Sequence, residues 1–295
     1  MTIRQFIFLP VTAAMLLCSC SKEPVVQTGP DGDRIVFGSA YATKDAQATK
    51  AEAVTSLSSF YASATTGAAG SEAAVWTSAT FTKDGATDDY KGDKWWPSSN
   101  PSYHFYASNS AITFAAGGST VAATDATDVV CAYMASPAYK TKNTLVFEHI
   151  FARLGTVTVS ADSGYTINNI SITITPYTGG TYNIRTGAGN TDGTGWSNLA
   201  SGSITGIANP SVDAGNAKSN NIYLVPGTYT LTVSWRATKG LYSETFTNKT
   251  ATVFLEAGKV NALTTTLGGN AKEPAFTVTV TPWEHETDDI EMPTA

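Results

Sequence analysis

Cysteine, histidine and charge are all scarce in this chain. Of its 295 residues three are Cys and three are His, and 14% are charged. Cys18 and Cys20 both lie in the first twenty residues, which leaves Cys131 alone in the body. That excludes an internal disulfide framework. Cys131 falls in an alternating run, with Val129 and Tyr133 on its side and Val130, Ala132 and Met134 on the other, and is expected in a core. His104, His149 and His285 are far apart, and none has metal-ligand spacing to another His, Cys or carboxylate. No metal and no cofactor is expected. The G-x-S-x-G, H-E-x-x-H, phosphate-loop and dinucleotide fingerprints are absent, so no catalytic residue is assigned and the chain is read as a non-enzyme. A net charge of −6 and a pI near 5.0 argue against nucleic acid and anionic lipid as partners. No stretch carries helical periodicity of useful length, and there is no short-period repeat.

Two stretches resemble ligand loops and fall short. Residues 187–195, GAGNTDGTG, lack the acidic ligands calcium needs, and no helix follows to bind phosphate. Asp84, Asp88, Asp89 and Asp93 fit a solvated turn better than a weak calcium site.

What the chain does have begins at Met1. A single early cation, Arg4, precedes an apolar run that closes on Leu17-Cys18-Ser19-Cys20. This is the layout of a secretory signal peptide, too short to span a bilayer, which needs about 20 apolar residues. It resembles a bacterial lipobox: Ser19 is small enough to precede the cut, and Leu17 sits three before Cys20. Cys20 is therefore the expected lipidated residue. Cys18 fits worse because bulky Leu17 would precede it. The acyl chains would hold the precursor on a membrane.

Residues 20–32 read as a tether, followed by a short strand with Ile35, Phe37 and Tyr41 on one face. A polar segment with Lys44 and Lys50 intervenes. From Val54 onward apolar and polar residues alternate, as in Ile170, Ile172 and Ile174; Tyr229, Leu231, Val233 and Trp235; and Phe276, Val278 and Val280. Such runs, rich in Thr and separated by turns such as Pro226-Gly227 and Lys239-Gly240, predict strands with one wet face. The expected class is all-β, with two β-sandwich domains at 33–150 and 151–283 and an acidic tail at 284–295. No linker marks the boundary. Trp95-Trp96-Pro97 is the strongest aromatic signal. Trp95 and Trp96 are candidate ligand contacts, because exposed tryptophans stack on sugar rings. Neighbours on a strand face opposite ways, so one of the pair is expected in the core.

Taken in order, these landmarks resemble the fimbrillin family, the subunits of type V pili. They are the lipobox at Cys20, the strand IVFGSAY, the basic site at Lys50-Ala51, VTSLSSFYASA from Val54, and KWWPSSNPSYHFYAS from Lys94 to Ser108. LVFEHIFARLGTVTV, NIYLVPGTYTLTVSW and the terminal VTVTPW complete the set. The resemblance covers nearly the whole chain. It implies tandem transthyretin-like sandwiches, no catalysis, and a precursor carried to the outer membrane as a lipoprotein. It further implies that a trypsin-like protease cuts between Lys50 and Ala51, or alternatively after Lys44. The cut removes the lipid and the strand bearing Ile35, Phe37 and Tyr41. The partners implied are other pilin subunits, whose donor strands fill the vacated groove, and surface molecules of host or bacterium. Two features depart from the family pattern. The loop offers Lys where cut sites are typically Arg, and the tail EHETDDIEMPTA has only Ile290 and Met292 to fill pockets. The tail fits a tip or accessory subunit that accepts a strand better than a stalk subunit that donates one. The competing reading is a surface lipoprotein that stays anchored in the outer membrane and captures glycan or another ligand.

Overall fold

A computed structural model describes residues 33–41, 57–87, 89–269 and 273–283. Cys20, Lys44, Lys50, Ala51 and the acidic tail lie outside the described residues. The first half supplies β1 (Arg34–Tyr41), β2 (Ser59–Thr66), β3 (Ala73–Lys83), β4 (Tyr90–Trp95), β5 (Tyr103–Ser108), β6 (Ile112–Thr113), β7 (Thr120–Thr124), β8 (Val130–Ala135) and β9 (Asn143–His149). The second supplies β10 (Ala152–Ala161), β11 (Thr166–Ile174), β12 (Tyr177–Asn183), a four-residue helix α1 (Ile184–Gly187), β13 (Trp196–Ser201) and β14 (Ile204–Thr205). It ends with β15 (Ala217–Lys218), β16 (Ile222–Leu224), β17 (Gly227–Lys239), β18 (Tyr242–Leu255), β19 (Lys259–Leu267) and β20 (Phe276–Pro282). The all-β expectation holds.

In the first half the sheet closes on itself. The order is β1-β4-β3-β2-β5-β8-β9, and β1 completes the ring by pairing antiparallel with β4 and parallel with β9. Inward-facing residues at alternate positions fill the barrel, among them Ile35, Phe37, Phe60, Phe81, Phe105 and Phe147, all wholly buried. Phe37 lies at their centre, with ring centroids 4.9 Å from Phe81, 5.0 Å from Phe105 and 6.0 Å from Phe60.

The second half is a two-layer sandwich. One sheet has the order β15-β10-β19-β20, with β16 also on β10; the other has the order β14-β11-β17-β18. Ile170, Ile172, Ile174, Tyr229, Leu231, Val233 and Trp235 point between the layers and are buried. Phe276 and Val278 are only half-buried and Val280 is exposed, because β20 is an edge strand.

A third sheet, β13-β12-β7-β6, crosses the expected boundary at 150/151, since β7 pairs with β12 from Gly179↔Thr124 to Asn183↔Thr120. Beneath it lies a shared core that includes Tyr106, Val121, Ile150, Phe151, Tyr182, Val225 and Trp283. The two halves are therefore welded by backbone hydrogen bonds and apolar burial. This explains why β5 is buried on both faces: Phe105 faces the barrel and Tyr106 faces the junction.

Candidate functional site: the seat of the first strand

The sequence of β1 favours an extended chain. Ile35, Val36 and Phe37 are β-branched or aromatic, and Gly38 permits close approach to β9, where a Cβ at position 38 would stand 3.3 Å from Thr144 Oγ1. Alternation puts Ile35 and Phe37 inward and leaves Val36 and Gly38 half-buried. Tyr41 pairs with Phe147 of β9 through its backbone.

The N-terminal end of β1 is fixed by three further contacts. Lys140 Nζ lies 2.7 Å from Asp33 Oδ1, the Trp96 amide donates to Asp33 O at 2.7 Å, and the Arg34 guanidinium sits 5.2 Å from the Trp95 ring centroid. The Asp33 carboxylate raises the Lys140 pKa above the ordinary lysine value. Both charges are partly exposed, so solvent screening limits the strength of the pair. None of this was legible in the sequence. Asp33 and Lys140 lie far apart along the chain, and neither segment's own pattern points to the other; in the structure Lys140 takes a left-handed backbone angle, φ 53°, in the β8–β9 turn.

Trp95 and Trp96 part as adjacent strand residues should. Trp96 is 2% exposed and stacks on Tyr103 at 5.8 Å, with Tyr139 edge-on at 5.4 Å. Trp95 remains half-buried beneath Arg34. The pair therefore presents no double platform to a ligand; its visible work is to hold the start of β1. The seat and the two tryptophans are one site, whereas the sequence treated them separately.

Several other titratable residues singled out from the sequence have structural partners, while Asp88 lies outside the described residues. His104 bonds Tyr133 Oη at 2.9 Å and Gly67 O at 3.2 Å. His149 pairs with Asp128 through Nδ1 at 2.7 Å and stacks on Trp283 at 4.3 Å. Asp84 and Asp89 are engaged by Lys91 and Lys142 at 2.7 Å and 3.0 Å. The Lys91 hydrogen bond, with further bonds from the turn, holds the Asp84 carboxyl below the usual range. Cys131 is buried, with Sγ 3.6 Å from Ser108 Oγ, and burial pushes its thiol up to about 12. Among the described residues, no group of three or more His, Cys, Asp or Glu could hold a metal ion.

The described residues form an all-β molecule with a barrel closed by its first strand. A family model described as fimbrillin-like matches residues 41–283, and the chain belongs to that family. Its fold is similar to that of a fimbrial protein from Bacteroides vulgatus, with a TM-score of 0.53 at 15% identity, covering 84% of this chain and 99% of that one. It is also similar to a candidate cell adhesion protein from Parabacteroides distasonis, with a TM-score of 0.51 at 9% identity, covering 85% and 97% respectively. At these identities the likeness is one of fold. No curated protein matches the chain.

Proposed function

We propose that this protein is a subunit of a cell-surface pilus in which β1 is a placeholder. It is exported as a lipoprotein on Cys20, reaches the outer membrane, and is cut between Lys50 and Ala51, or after Lys44, by a trypsin-like protease. β1 then leaves with the lipid, and the donor strand of another subunit takes its seat by β-augmentation. The observation that carries this reading is the position of β1. It is a short, deeply inserted strand, paired with both β4 and β9 and followed in the chain by a segment holding two lysines. Its loss opens two strand edges at once, an arrangement that is unstable until refilled. The acidic composition of residues 284–295 favours a tip or accessory role over a stalk role.

Limited trypsin treatment of the purified protein tests the reading. The expected product begins at Ala51 and forms SDS-resistant higher bands when mixed with a donor-competent stalk subunit. If the Lys50 bond survives in the folded protein, or the trimmed protein stays monomeric beside such a donor, an anchored ligand-binding lipoprotein is the better reading. Anchoring is tested separately: Cys20→Ala should abolish palmitate labelling, and persistent labelling would move the assignment to Cys18.

A further inference from the structure

The two ladders that hold β1 do not cover the same residues. Towards β4 the pairs are Arg34↔Trp95, Val36↔Lys91 and Phe37↔Tyr90, with an irregularity between the first two, and this ladder ends at Phe37. Towards β9 the pairs run without a break from Phe37↔Asn143 to Tyr41↔Phe147. Phe37 is thus the residue paired on both sides. The apolar anchors Ile35 and Phe37, the Asp33–Lys140 pair and the Arg34–Trp95 stack all lie at or before position 37. Beyond it Gly38, Ser39, Ala40 and Tyr41 are paired through their backbone with β9 alone. The Tyr41 end, which lies away from these anchors, is also the one continuous with the segment carrying Lys44 and Lys50.

We propose that an incoming strand first pairs with β9 beside Leu145–Phe147 and displaces β1 from its Tyr41 end towards its Asp33 end. This rests on the strand-replacement reading above and adds the order of events. The partner that fits is an extended segment running parallel to β9. It carries an aromatic residue at the place of Phe37, a branched aliphatic two residues earlier at the place of Ile35, and a small residue at the place of Gly38, against Thr144. Cutting the chain frees the Tyr41 end, and fraying there exposes backbone donors and acceptors of β9, which template the newcomer. The seats of Phe37 and Ile35 change occupant last, when the Asp33–Lys140 pair parts.

Synthetic peptides copying residues 33–41, labelled with fluorescein, provide the test. Capture by the trypsin-trimmed protein is followed by fluorescence anisotropy. A peptide lacking residues 39–41 should be captured about tenfold more slowly, because several ladder bonds are lost at the first contact. A peptide lacking 33 and 34 should be captured at a rate within about twofold of the full copy and released faster. Lys140→Ala should speed completion of the exchange. In the uncut protein, hydrogen exchange should be faster at 38–41 than at 35–37. Equal capture rates, the reverse order, or uniform protection along β1 would overturn the proposed order. Failure to capture any peptide despite graded protection would overturn strand replacement itself.

Discussion

Arg185 and Glu72 lie 113 positions apart in the chain and 2.8 Å apart in space. The Glu72 side chain is wholly buried and that of Arg185 is 19% exposed. Glu72 also accepts from Tyr106 Oη at 2.9 Å and 3.0 Å, and Arg185 donates to Gly117 O at 2.7 Å. Burial, reinforced by the Glu72 carboxylate, raises the Tyr106 pKa well above the ordinary phenol value. Since Arg185 belongs to α1, which follows β12, and Glu72 precedes β3, this network ties the barrel to the junction sheet just beyond the Asn183↔Thr120 end of the β7–β12 ladder.

Removing one partner should therefore hurt more than removing both. Arg185→Met leaves a buried carboxylate without its cation and should cost roughly 3–5 kcal/mol. The double variant Glu72→Met/Arg185→Met should recover part of that loss. Urea midpoints decide; a single variant as stable as the parent protein would mean the pair is ornamental.

Truncation at the centre of the barrel has a separate signature. Phe37→Ala removes a ring packed against Phe60, Phe81 and Phe105 and should cost about 3–5 kcal/mol. It should also accelerate loss of β1 after trimming, measured as the rate at which the N-terminal fragment separates. A variant that retains the fragment as long as the parent would place the grip on β1 outside its side chains.

In the sandwich, Trp235 stacks on Phe246 at 4.7 Å and donates its indole N–H to Gly268 O at 2.9 Å. Trp235→Ala should cost about 3–5 kcal/mol, enough to threaten a marginally stable domain. Melting at the parent temperature would contradict the burial of this face. Trp235→Phe should lose less, because the stacking surface is largely kept.

Cys131 carries a pH dependence of definite sign. Its folded pKa, about 12, lies above the ordinary 9.0 because burial opposes the thiolate. Its contribution to stability is complete below the ordinary value and is lost as pH rises towards the folded one. At pH 8.5 the folded protein should resist iodoacetamide and react only after unfolding. Rapid labelling of the native state would contradict this.

How much of this was legible in the sequence depended on whether one strand's own pattern carried it. Tyr229, Leu231, Val233 and Trp235 alternate with polar residues that meet water, so strand and face were both readable. On β5 the strand was readable but its second buried face was not, because the junction core that buries Tyr106 is assembled from both halves. On β20 the pattern overstated burial, since alternation cannot reveal that a strand has a neighbour on one side only. In the seat of β1, Ile35 and Phe37 announced their face. Lys140, Trp95 and the crossing of β7 to β12 depend on contacts between distant segments, to which period and composition are blind.

The parallel partnership of β1 and β9 has a mechanical side. Removing β1 leaves β4-β3-β2-β5-β8-β9, in which every neighbouring pair is antiparallel. An odd ring of seven must contain one parallel seam, and β1 occupies it. Tension applied along a strand in that seam runs across its hydrogen bonds rather than opening them one after another. The bonds of the β9 ladder then share the load, so β1 resists being drawn out lengthwise.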